Sequence, residues 1–83
     1  MKLPRNLSGR EVVEALVRSL GRRVVHQRGS HVVLETEEPS RRRIVVPDHS
    51  SLRMGTLSAI VRAVSLQKDI EKAKVVALLT GSS

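Results

Sequence analysis

Eighty-three residues make one small domain with no room for a second core. Folding at this length buries only about 60% of the unfolded surface, and with no cysteine the chain has neither a disulfide to staple it nor a thiolate to hold a metal. Fifteen Lys and Arg against eight Asp and Glu leave a charge of +7, which points first to nucleic acid. The complete lack of Phe, Tyr and Trp excludes aromatic base-stacking platforms of the RRM or single-strand OB kind.

The core must be aliphatic, built from 13 Val, 10 Leu and 3 Ile. The first local signal is Leu7-Ser8-Gly9-Arg10-Glu11-Val12, a capping box with a hydrophobic staple. Val12, Val13, Leu16, Val17 and Leu20 recur at helical spacing, and Gly21 suits the left-handed position that ends a helix, so a helix is predicted over Gly9–Leu20. Arg22–Arg28 and His31–Thr36 read as strands joined by Gly29-Ser30 in a type II′ turn. Arg41–Val46 reads as a third strand stopped by Pro47, with Glu37-Glu38-Pro39-Ser40 as the turn before it. Pro47–Ser51 is a loop. Leu57, Ile60, Val61 and Val64 then mark an amphipathic second helix, with Gly55 letting it start close to the sheet. A short last helix begins at Ser65 or Leu66, with Ile70, Ala73 and Ala77 on one face, and Thr80–Ser83 is a loose tail.

The expected fold is therefore α+β, in the order α-β-β-β-α, with a three-stranded antiparallel sheet, helices on one of its faces and a short C-terminal helix. This is the shape of a double-stranded-RNA-binding domain. No apolar run approaches the roughly 20 residues of a membrane span, and Met1–Arg10 lacks a signal-peptide core, so a cytoplasmic protein without membrane contact is expected.

Hairpin parity sorts the side chains. With Gly29-Ser30 as the turn, Arg28 sits opposite His31 and Gln27 opposite Val32. One face then holds Val25, Val32 and Leu34 under the helices. The other holds His26, Arg28 and His31, with Val24 and Val33 among them. A register slip of one residue would exchange the two faces.

Gly29-Ser30-His31-Val32 follows the first helix and Gly21, and Pro47-Asp48-His49 and Gly55-Thr56-Leu57 follow in turn. Together with the capped start Ser8-Gly9-Arg10-Glu11, this series resembles the HicA family of toxin ribonucleases, most strongly over residues 1–66. The resemblance implies one toxin domain over residues 1–83, a dsRBD-like fold, sequence-tolerant cleavage of mRNA, and neutralisation by a HicB-type antitoxin. It also implies that His31, the histidine of the Gly-Ser-His motif, is catalytic. The chain departs from the family at Arg22, where an aromatic residue is usual.

The chemistry fits these residues on its own terms. RNA carries its own nucleophile, the 2′-hydroxyl beside the scissile phosphate. Cleavage then needs a base, an acid and positive charge on the phosphate. An imidazole can serve either proton role at neutral pH, and a guanidinium can clamp phosphate through its planar fork. His31 is the candidate for proton transfer. Arg28 on its face, Ser30 of the turn, Arg53 before the second helix, and Lys2 and Arg5 of the N-terminal segment are candidates for binding RNA. His26 and His49 are secondary candidates, each with a plainer role as a solvent-facing or loop-ordering residue. Arg41-Arg42-Arg43 reads equally as a phosphate-binding run or as an edge paired with Glu35, Glu37 and Glu38. No metal or other cofactor is expected, because nothing in the spacing of the three histidines and Asp48 demands that they converge. Two other functions stay open at this point. One is a non-catalytic RNA-binding module of the same fold. The other is a protein-interaction domain marked by exposed Val24 and Val33.

Overall fold

The computed structural model of the protein describes residues 3–81. Its elements are α1 (Gly9–Leu20), β1 (Arg23–Arg28), β2 (His31–Thr36), β3 (Arg42–Pro47), α2 (Met54–Lys68) and α3 (Lys72–Thr80). The capping box forms as expected: the Ser8 hydroxyl accepts from the Glu11 N–H at 3.0 Å, and the Ser8 N–H donates to Glu11 Oε1 at 3.0 Å. These bonds from Ser8 to the charged form hold the Glu11 carboxyl below its usual range. Leu7, just ahead of the cap, is buried. Gly21 ends the helix at φ 64°.

The strands pair antiparallel in the order β1-β2-β3. Gly29 has φ 57°, the positive value that a type II′ turn needs at its first central position. Val32 and Leu34 of β2 and Ile44 and Val46 of β3 point to one side of the sheet. There they join Val12 and Leu16 of α1, Leu57, Ile60 and Val64 of α2, and Val75 and Leu79 of α3 in one core. All three helices thus cover the same face, and the other face is open.

The hairpin register is Arg28↔His31 and Gln27↔Val32, as parity requires, but a bulge between Val24 and His26 breaks the alternation. Val24 pairs with Leu34, which corrects its expected place on the open face. It lies on the helix side and lines a cleft with Arg10, Val13 and Gln27. Val25 is the extra residue of the bulge and is only half-buried, so it is not the core partner of Val32 and Leu34 that strict alternation implies. His26, Arg28, His31 and Val33 keep the open face.

Other boundaries shift too. β1 starts at Arg23, because Arg22 still donates its N–H to Leu16 at the end of α1. β3 runs through Pro47, which pairs with His31 at a sheet edge where a missing donor is tolerated. α2 continues past Ser65 and Leu66 to Lys68, and Asp69 at φ 54° breaks it. In α3 the buried positions are Val75 and Leu79, while Ala73 is exposed. Thr80, expected to open a loose tail, belongs instead to α3, and Gly81 caps that helix; Ser82 and Ser83 lie outside the described residues.

Gly55 does not mediate a close approach, since a Cβ there would meet nothing within 4 Å. Gly9 does: a Cβ on it would sit 1.9 Å from the carbonyl oxygen of Pro47. Among the described residues, no helix is long and apolar enough to cross a membrane.

Candidate functional site

The end of the sheet at the Gly29-Ser30 turn gathers most of the candidates. His31 is the first residue of β2, exposed, with Arg28 across from it on β1 and Pro47 across from it on β3. Side chains directly opposite in an antiparallel pair stand about 5 Å apart at Cβ, so the His31 and Arg28 side chains spring from adjacent positions on the open face. His26 is on the same face, opposite Val33.

The loop after β3 is tied to this end by backbone bonds. The Asp48 N–H donates to the Ser30 carbonyl, and the His49 carbonyl accepts from the Gly9 N–H at 2.9 Å. His31 follows Ser30 and His49 follows Asp48, so this bridge brings both histidine backbones to one end of the sheet. The absent Cβ of Gly9 is what lets the loop lie against the start of α1. A further bond, Leu52 N–H to the Leu7 carbonyl at 2.8 Å, holds the N-terminal segment to the start of α2. Arg5 and Arg53 flank that bond, and both are exposed. Lys2 lies outside the described residues.

Charge is distributed unevenly on the open face. At the end away from the turn, Glu35 is only 2% exposed, covered by three arginines. Arg43 Nε donates to it at 2.9 Å, Arg23 Nη2 at 3.2 Å and Arg41 Nε at 3.3 Å. The hydrogen bonds from Arg43 and Arg41, with the charge of both guanidiniums, outweigh desolvation and push the Glu35 carboxyl down to about 2. All four ion pairs among the described residues involve Glu35 or Glu37. Arg5, Arg28 and Arg53 take part in none of them. Arg42, between Arg41 and Arg43, pairs with Thr36 and belongs to the helix side. Among the described residues no three His, Asp or Glu side chains come together in a metal-binding group.

Sequence reasoning therefore located His31, Arg28 and Ser30 together. It missed Pro47 as the second neighbour of His31, because the turn from Thr36 to Arg42 does not by itself fix a register. It also missed Arg23 beside Glu35, a placement that follows only once the bulge at Val25 is known.

An exposed imidazole opposite an arginine on a solvent-open sheet suits a substrate that is polyanionic and extended. Compared with known families, residues 9–72 match the model of the HicA toxin of bacterial toxin-antitoxin systems. No curated protein and no solved structure matches the chain.

Proposed function

Because the chain belongs to the HicA toxin family and is the toxin of a toxin–antitoxin pair, we propose that it acts as an endoribonuclease on mRNA, with His31 as the proton-transfer residue. The observation that carries this reading is the exposed pairing of His31 with Arg28 on the uncovered sheet face. In the proposed reaction the imidazole of His31 takes the proton of the 2′-hydroxyl. The 2′-oxygen bonds to phosphorus and the bond to the 5′-oxygen breaks. The leaving 5′-oxygen takes a proton from an acid, with His26, on the same face, and His49, in the loop tied to this end, as candidates. Products are a 2′,3′-cyclic phosphate and a 5′-hydroxyl. Arg28 balances the phosphate charge, Ser30 lies in the turn beside it, and exposed Arg5 and Arg53, held near one another by the Leu52–Leu7 backbone bond, offer further positive charge. Positioned acid–base catalysis of this kind contributes about 10²–10⁴-fold.

The partner in this reading is a HicB-type antitoxin that covers the His31 face. An acidic surface suits it, given the net charge of +7. Val33 and Val45, adjacent on that face, supply its apolar contact.

The test is His31→Ala, assayed for toxicity in cells and for cleavage of a labelled RNA. Cleavage is expected to be lost, while the fold stays within about 0.5 kcal/mol, as for an exposed strand position. Cleavage by the parent is expected to survive EDTA. A His31→Ala protein as active and as toxic as the parent would sink the nuclease mechanism and leave an RNA-binding module as the better account.

A further inference from the structure

The open face carries more positive charge than the neighbourhood of His31 uses. Arg23, Arg41 and Arg43 converge on the one buried carboxylate of Glu35, at the opposite end of β2 from His31. One negative charge cannot neutralise three positive ones, and exposed Glu37 approaches Arg23 only to 4.0 Å. The manner of attachment is informative. Arg41 and Arg43 both bond Glu35 through Nε, and their side chains remain 71% and 59% exposed. A guanidinium held by Nε still has four donors on its two terminal nitrogens. Glu35 thus fixes the two forks with their bidentate edges facing solvent, which removes part of the ordering cost of binding an anion. His31 and Glu35 share one face of β2, four residues apart, so the cluster stands about 13 Å along the strand from the imidazole. A stacked nucleic-acid strand rises about 3.4 Å per nucleotide, so that span is about four nucleotides.

We propose that the open face of the sheet is a track for single-stranded RNA, and that Arg41 and Arg43, held by Glu35 beside Arg23, form a phosphate subsite about four nucleotides from the bond cut at His31. The subsite rests on the reading of this chain as an RNA-cleaving toxin, but its test does not depend on cleavage. It makes Arg41 and Arg43 binding residues and Glu35 a positioning residue. Phosphate contacts carry no base information, so the subsite lengthens the footprint without adding sequence selectivity.

The probe is fluorescein-labelled 2′-O-methyl RNA, which cannot be cut by 2′-hydroxyl attack, in lengths of about four and about twelve nucleotides. The parent is expected to bind the longer probe roughly tenfold more tightly, and Arg41→Gln/Arg43→Gln to lose most of that gain. Its slope of log affinity against log salt should fall by about 0.7, the value for one single-strand phosphate contact. Arg41→Lys/Arg43→Lys keeps the charge but not the Nε tether, and should recover only part of the affinity. Far-UV circular dichroism checks the fold, and single Arg41→Gln, which leaves two arginines on Glu35, carries the test if the double variant unfolds. No gain with length, or an equal gain in the double variant, would overturn the subsite. Full recovery by the lysine pair would overturn its tethered geometry. Separately, a parent that shows the length gain but leaves ordinary RNA intact keeps the subsite and refutes the nuclease reading.

Discussion

Arg22 offers the sharpest test of the packing. Its side chain is among the largest fully buried ones, at 2% exposure, where the chain passes from α1 to β1. One terminal nitrogen donates to Gln67 Oε1, but Nε and Nη1 have no partner. No carboxylate joins it, since the ion pairs of the described residues gather at Glu35 and Glu37. Burial lowers the affinity of the guanidinium for its proton, yet arginine stays charged in proteins. Each buried donor without a partner costs about 1–3 kcal/mol. Arg22→Met removes both orphans and keeps an unbranched stem of similar reach. Against this stands the loss of the Gln67 contact, about 1 kcal/mol, softened because Gln67 is only half-buried and water can reach it. The balance is a gain of about 2 kcal/mol. For a domain of this size each 1 kcal/mol moves the melting temperature by about 4–8 °C, so a rise of roughly 8–16 °C is expected. The chain has no Trp or Tyr, so the assay is urea and thermal unfolding followed by far-UV circular dichroism. Arg22→Ala, which leaves a void, should gain less than Arg22→Met or lose stability. A methionine variant no more stable than the parent would refute the claim that this guanidinium is buried without compensation.

Three further outcomes follow from local geometry. Gly9→Ala should destabilise by more than about 2 kcal/mol in the same unfolding assay, because its Cβ would lie 1.9 Å from the Pro47 carbonyl oxygen, and should lower activity by shifting His49. Gly55→Ala, with open space around the new methyl, should be neutral or gain up to about 1 kcal/mol from helix propensity. Glu35 has its folded-state pKa depressed from 4.5 to about 2, so its stabilising contribution is present above pH 4.5 and is lost as the pH falls towards 2. Parent and Glu35→Gln should therefore differ in stability at pH 6 and converge near pH 2, as read from urea midpoints across that range.

Much of the architecture could be read from local signals. The capping box and Gly21 set both ends of α1, and the glycine turn set the hairpin register, because each depends on residues within one turn of chain. Three features did not yield. The end of α2 depends on Asp69 adopting φ 54°, a conformation that asparagine and aspartate tolerate but do not announce. The close approach at Gly9 joins residues nearly forty positions apart and leaves no local trace. The bulge at Val25 is not signalled locally, because Val24 and Val25 are equally good strand residues with nothing to mark which is the extra one. The site was legible where it used the hairpin, at His31 and Arg28, and hidden where it depended on the bulge.

That bulge has a functional consequence that can be measured. Without it, Val24 would share the open face with His31; with it, Val24 pairs with Leu34 on the helix side, and Val33 is the valine of the hairpin that faces the RNA track. Val24 and Val33 are both valines of the β1–β2 hairpin on opposite faces of the sheet, so a charge placed at each compares the two faces directly. Val33→Glu puts a carboxylate between His26 and Val45, amid the arginines of the open face, where it repels phosphate and competes with it for guanidinium. Val24→Glu puts the same charge on the far side of the sheet, at the rim of the cleft lined by Arg10 and Glu14. Val24 is 47% exposed, so the change should cost no more than about 1 kcal/mol of stability. Binding of the twelve-nucleotide 2′-O-methyl probe should weaken several-fold for Val33→Glu and stay close to the parent's for Val24→Glu. Equal losses at both positions would mean that the strand alternates without interruption and that Val24 faces the nucleic acid.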